Sequence, residues 1–172
     1  MATSTPDPAE VTPAPWHERL ETVAAQINAI DKMIDLARYS IRVFDVDLAE
    51  TGWNAAVRTA KIAALLRAHP AARLQIVVHD TGWIERSSPR LTRLLRYHSD
   101  AIAIYRSGAG AKHAMDPLVI VDDRHYLHRF HAAQPRAAFA VDDPAGAQPL
   151  VIRFEEIWAG AEPGVGATVL GL

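Results

Sequence analysis

A chain of 172 residues is long enough to bury a full core in one domain, and 49% apolar residues with a net charge of −2 is the composition of an ordinary globular protein. That charge gives no general electrostatic case for nucleic acid or an anionic membrane, although a local basic face is compatible with it. The absence of cysteine excludes disulfides, thiolate catalysis and cysteine-based zinc sites, and no apolar run approaches membrane-spanning length.

The N-terminus has neither a basic region nor an apolar stretch of the kind found in secretory signals, so a cytoplasmic protein is expected. Arginine far outnumbers lysine and alanine is abundant, an association with GC-rich bacterial genomes. Residues 1–15, rich in Pro, Thr, Ala and Asp, cannot bury enough surface to offset ordering entropy. They are expected to be a disordered tail before a single domain over 16–172.

The periodicity predicts a helix from about Trp16 to Arg38, with Leu20, Val23, Ala24, Ile27, Ile30 and Ile34 on one face. Tyr39 to Leu48 reads as a strand ending in Asp45 and Asp47, with Ile41 and Val43 on one face and Arg42 and Phe44 on the other. Thr51-Gly52-Trp53 precedes a helix to about Ala68, whose apolar side is Val57, Ile62, Leu65 and Leu66. Ala72 to His79 is a second strand, closed by His79-Asp80 and a second triplet, Thr81-Gly82-Trp83.

Ser88 followed by Pro89 is a helix start signal, and Leu91, Leu94, Leu95 and His98 form the inner face of the helix that follows. Ala101 to Tyr105 is a third strand, and a glycine-rich loop, Ser107 to Ala111, leads into a hairpin. Leu118 to Val121 is an unbroken apolar run, expected to be covered on both faces, and Asp122-Asp123 is a turn signal before a return strand from Tyr126 to Phe130. Arg136 to Val141 is a further strand, Asp142-Asp143-Pro144 opens a last helix to about Ala159, and Pro163 to Leu172 is irregular and apolar. The pattern predicts an α/β fold with a mixed, partly parallel sheet flanked by helices on both faces.

Ligands of such sheets bind at the carboxyl ends of the parallel strands. Asp45, Asp47, His79 and Asp80 sit there by construction, with Trp53, Trp83 and Lys112 completing a candidate ligand-binding rim. The two tryptophans either line a pocket or staple the helices that follow, and stapling is favoured. Four of the eight histidines, His113, His125, His128 and His131, lie in or beside the hairpin. Strand alternation splits His125 and His131 from His128 and sets Arg129 among them, so structural or surface roles are favoured over a metal site. Lys112 and His113 follow glycines that permit a phosphate nest, but the spacing is not that of a P-loop. Arg86, Arg90, Arg93 and Arg96 form a basic stripe that suits nucleic acid, an acidic partner or a solvated face, the last being favoured.

From about Ile27 to Ala161 the chain resembles one half of a phospholipase D-type (HKD superfamily) domain. The landmarks are Leu36-Ala37-Arg38-Tyr39-Ser40-Ile41-Arg42-Val43, the strand Leu74 to Asp80, a signature strand and the helix segment Arg153 to Trp158. It looks especially like an uncharacterised proteobacterial branch of that fold. In active members a strand carries His, one residue, Lys, four residues and Asp. The His attacks phosphorus, the Lys holds the phosphate, the Asp orients the His, and a second half or subunit supplies the acid. Aligning Asp122 with the family's Asp puts Met115 at the His position and Pro117 at the Lys position, while His128-Arg129 stand where Gly-Ser is usual.

Methionine has no basic nitrogen and proline no cation, so the resemblance implies a fold without its catalytic set, and no cofactor. The acidic rim of Asp45, Asp47 and Asp80 would also repel a phosphodiester unless a metal sat between. The expectation is a non-catalytic binding or assembly domain, with a homodimer as its partner state. An enzyme reading stands beside it: a divergent phosphodiesterase or nuclease using His113, Asp122 and Arg129 in displaced roles. A third is a small nucleic-acid or partner-binding module using Arg86, Arg90 and Arg93.

Overall fold

The structure is a computed structural model and describes residues 15–167. Its elements in chain order are β1 (Trp16–Leu20), α1 (Val23–Leu36), β2 (Ser40–Asp45), α2 (Ala56–Ala68), β3 (Arg73–Val78), α3 (Gly82–Ser87) and α4 (Pro89–Tyr97). Then follow β4 (Ile102–Arg106), a 3-10 turn (Ala109–Ala111), β5 (Leu118–Val121), β6 (His125–Arg129), β7 (Ala137–Val141), α5 (Pro144–Ala159) and β8 (Glu162–Val165). The strands make one sheet in the order β1-β7-β6-β5-β2-β3-β4-β8. β2, β3 and β4 run parallel, and the remaining neighbours are antiparallel.

The unbroken apolar run forms β5 beside β2 at the sheet centre, and all four of its residues are buried. Val119 and Val121 join the main core, where Ile41 and Val43 of β2 meet Ile30, Met33 and Ile34 of α1. Ile62 and Leu66 of α2 and Leu91 and Leu95 of α4 extend that core along β3 and β4. Leu118 and Ile120 point the other way, onto Phe44, Val77 and the α5 residues Val151, Phe154 and Ile157. Four helices therefore cover one face and α5 alone covers part of the other, the mixed α/β sheet that the sequence predicts. The hairpin loop is three residues, Asp122 to Arg124, between paired Val121 and His125, and both aspartates have positive φ, 53° and 56°. Short carboxylate residues tolerate that conformation.

Several local expectations are corrected. Trp16–Leu20 is an edge strand paired with β7, and the helix starts only at Val23, capped by Thr22, whose hydroxyl accepts from Ala25 N at 3.1 Å. The buried face of α1 holds Gln26, Ala29, Ile30, Met33 and Ile34, while Ala24 is exposed. In α2 it is Arg58, not Val57, that is buried; Val57 is 67% exposed. A short helix, α3, fills the segment before Pro89, and Ser88 donates its hydroxyl back to Ile84 O rather than accepting from the following turn. Glu162–Val165 adds β8 to the edge of β4, with Val165 in the core. The expected tail over 1–15 lies, apart from Pro15, outside the described residues, as does the chain beyond 167. Among the described residues no helix is long and apolar enough to cross a membrane.

Candidate functional site at the carboxyl edge of the sheet

The parallel strands bring Asp45, His79 and Arg106 to one edge of the sheet. β5, running the opposite way, starts at that edge, and β6 ends there, with Arg129 N donating to Pro117 O at 2.8 Å. The segment 115–117 that carries the two aligned signature positions therefore lies at this edge. Two groups of side chains meet there, one on each face of the sheet.

On the α1–α4 face, Arg129 is buried, 5% exposed. Its Nε donates to Gln134 O at 2.6 Å and its Nη1 to Glu50 Oε2 at 2.7 Å. Asp45 lies on the same face, because Val43 pairs with Val119 and alternation carries Asp45 and Pro117 together. Burial pushes the Asp45 carboxyl up to about 6. The Val46 N–H, which donates to Asp45 Oδ1 at 2.7 Å, opposes that shift, Asp47 adds to it, Arg129 opposes it and Glu50 adds to it. The centre of this group is a guanidinium already engaged by protein acceptors.

On the α5 face, Asp116 receives Arg153, with Nε at 2.8 Å and a second bond from Nη2, and lies 3.0 Å from His128 Nε2. Burial raises the Asp116 pKa, but the hydrogen bonds from Arg153 and His128 outweigh it and hold the group below the ordinary carboxylate value. Nearby, His79 Nε2 donates to Ala114 O at 2.7 Å, and its Nδ1 is 2.5 Å from Ser107 Oγ. Both ring nitrogens are engaged, and the ring meets Phe44 edge-on at 5.3 Å. A cleft of about 410 Å³ opens between the glycine-rich loop and α5, lined by Gly108, Gly110, His113, Arg153 and Glu156.

The rim residues of the sequence reading have separate fates. Asp47 and Asp80 are turn formers, accepting from Ala49 N at 2.9 Å and Gly82 N at 2.7 Å. Trp53 is wholly buried with the Arg58 guanidinium 5.1 Å from its ring, and Trp83 packs partly buried on the main core. Lys112 and His113 are exposed.

Asp122 is at the other end of the sheet. Its carboxylate accepts from Arg38 N, Tyr39 N and Ser40 N at 2.8, 2.7 and 2.8 Å, where β2 begins. Asp122 lies five residue steps along the strand from Pro117, about 16 Å. His113, Asp122 and Arg129 are thus not brought together. Nor are the hairpin histidines: His125 Nδ1 accepts from Asp142 N at 3.0 Å with its pKa lowered by burial, His128 faces Asp116, and His131 Nδ1 accepts from Ala133 N. Among the described residues no three His, Asp or Glu side chains converge on a metal position.

Sequence reasoning missed Glu50, Asp116 and Arg153. The one signal for them was an arginine set between Ile152 and Phe154 on an otherwise apolar stretch of helix.

The fold is similar to that of Nuc from Salmonella typhimurium, a phospholipase D family member, at 15% identity and a TM-score of 0.59 over 88% of this chain and 99% of that one. NucT from Helicobacter pylori is similar at 12% identity and a TM-score of 0.58, over 88% and 100%. TrmBL2, an archaeal chromatin protein with a novel mode of DNA binding, is similar at 11% identity and a TM-score of 0.62; the match covers 90% of this chain but only 56% of that one. At these identities the likeness is one of fold. No curated protein sequence matches the chain. The sequence matches the Domain of unknown function (DUF7931) over residues 22–166, so the chain belongs to that family, and its fold is phospholipase D-like.

Proposed function

We propose that this domain is a single phospholipase D-like half that has lost phosphodiester chemistry and serves in binding or assembly, as a homodimer. The observation that carries the reading is at the signature strand. Met115 and Pro117 stand where a nucleophile and a phosphate-holding cation would be required, and the cation that is present, Arg129, is buried and bound to Glu50 and Gln134. A phosphate would have to displace Glu50 from Arg129 beside the half-buried Asp45. The dimer part rests on the resemblance, in which single halves pair, and on the match to the whole length of Nuc.

The test is hydrolysis of bis(p-nitrophenyl) phosphate with and without EDTA, alongside light scattering. No turnover and a dimer mass are expected. Turnover indifferent to EDTA and lost in His113→Ala would overturn the non-catalytic reading, as would turnover that EDTA removes. A monomer at high concentration would end the dimer part.

One observation favours the displaced phosphodiesterase as second reading: His113 and Arg153 share a cleft. In that reading Arg153, rather than Arg129, is the phosphate clamp, and Asp122 has no part.

A further inference from the structure

α2 has two flanks with opposite electrostatics. Toward α1 its cations are matched within the chain: Arg58 Nε is 2.7 Å from Asp31 Oδ1, and Lys61 Nζ is 2.7 Å from Asp35 Oδ1. Toward α4 a groove of about 550 Å³ runs between the helices. Its floor is apolar: Ala56, Ala60 and Ala63 lie at i, i+4 and i+7 on α2, facing Leu94 and Tyr97 of α4. Its edges carry Arg67, Arg90 and Arg93, and no carboxylate lines it. None of these three guanidiniums makes an ion pair or hydrogen bond among the described residues. Tyr97 is 76% exposed beside them, and Val57 is 67% exposed on the same helix as the alanines.

Three unmatched guanidiniums around an apolar trough are not the by-product of a basic chain, because the net charge is −2. Each feature fits the same occupant. Alanines at helical spacing make a shallow floor on which a second helix approaches closely. An apolar floor takes apolar side chains, and flanking arginines take carboxylates. A nucleic-acid backbone would satisfy the arginines but leave the floor and Tyr97 with nothing to cover them. We propose that the α2–α4 groove receives an acidic amphipathic helix of a partner protein. Its apolar residues at i, i+4 and i+7 lie in the trough, and its Asp or Glu residues face Arg67, Arg90 and Arg93. The proposal names a partner class for the binding role above, but it does not depend on lost catalysis: peptide binding and phosphodiester hydrolysis are read separately.

The test uses the full chain and fluorescein-labelled peptide helices followed by fluorescence anisotropy. The probe carries leucines at i, i+4, i+7 and i+11 with glutamates on both flanks. One control replaces the leucines with glutamine, a second replaces the glutamates with lysine, and a short DNA duplex is a third. Saturable binding of the acidic leucine probe alone is expected. Arg90→Glu and Arg93→Glu should each weaken it about tenfold, the equivalent of roughly 1.4 kcal/mol for each lost pair. Ala60→Trp, which fills the trough on the surface, should weaken it at least as much, with an unchanged circular dichroism spectrum. No saturation with the acidic probe overturns the proposal. So does equal binding of the glutamine control, which would make the surface purely electrostatic, or tighter binding of the duplex that Arg90→Glu abolishes.

Discussion

Asp122→Ala separates a structural role for the aligned signature aspartate from a chemical one. The carboxylate accepts three backbone N–H bonds from residues 38–40, and the Asp122 backbone N–H donates to Ser40 O at 3.0 Å, so one residue ties the end of β5 to the start of β2. A hydrogen bond to a charged group contributes roughly 1.5–3 kcal/mol, and water replaces part of that at a half-exposed site, so losing three together should cost about 3 kcal/mol. Asp122 also holds φ at 53°, where alanine adds about 1 kcal/mol of strain. Asp122→Asn tolerates that φ and keeps a carbonyl acceptor, so its loss should stay near 1–2 kcal/mol. Urea unfolding should rank wild type above Asn above Ala, and the Ala variant should melt about 10 °C lower, at roughly 2–4 °C per kcal/mol for a domain of this size. An Ala variant within about 1 kcal/mol of wild type would refute the clamp. An unchanged unfolding midpoint with loss of a measured hydrolytic activity would restore the chemical role.

Asp45→Asn should change the pH dependence of stability. The folded pKa, about 6, lies above the ordinary 3.8, so the folded state holds this proton more tightly than the unfolded chain. The burden of the buried charge therefore grows as pH rises through that window and is complete above it. The asparagine variant should gain up to about 3 kcal/mol at pH 7 and nothing at pH 3, read from urea midpoints; an equal gain at both would sink the assignment. The value is an upper bound, because the side chain keeps some accessible surface. Asp116 has the opposite sign: its pKa is held low, so its contribution is present above the ordinary carboxylate range and lost as pH falls through the depressed value. Asp116→Asn should flatten the acid limb of melting temperature against pH, and an unchanged limb would show that Arg153 and His128 do not act through it. Arg58→Ala removes a guanidinium only 1% exposed that binds Asp31, Thr51 O and Ile27 O, and should cost about 3–5 kcal/mol by chemical denaturation. A loss below about 1 kcal/mol would mean that water replaces those bonds.

The parts of this fold that were legible in the sequence are those whose cause is local. The β5–β6 hairpin follows from an apolar run and two aspartates that accept positive φ, and the parallel centre follows from strands alternating with helices. Trp16–Leu20 failed because its hydrophobic spacing continues that of α1, whereas its strand form comes from pairing with Ala137–Val141 near the other end of the chain. α3 has one buried residue, Ile84, and is too short to display a period. At the edge of the sheet, the position of each residue was readable from where strands end, but the direction and partner of its side chain were not. Trp53 turned into the core, His79 was engaged at both nitrogens, and Asp122 lay at the opposite end of the strand whose start carries the signature positions. Nothing local in the sequence marks Arg58 and Arg129 as buried, because the acids and carbonyls that receive them come from other elements.

The pairing of β1 with β7 also fixes an order of assembly. β7 reaches its place through the β5–β6–β7 meander, and β5 is anchored on β2. Until that meander has formed, β1, which leaves the ribosome well before β7, has no edge to join. Contacts this distant in sequence carry the largest loop-closure cost and form slowly. β1 is therefore made before the edge that receives it and docks after that edge has formed. In the interval Trp16, half exposed even in the finished sheet, is open to solvent, and the edge of β7 that it will occupy is unpaired. The fluorescence of Trp16, isolated by replacing the other three tryptophans with phenylalanine, should consequently report the last step of folding rather than the first, and truncation before residue 21 should leave the rest of the sheet intact with a new, open edge at β7.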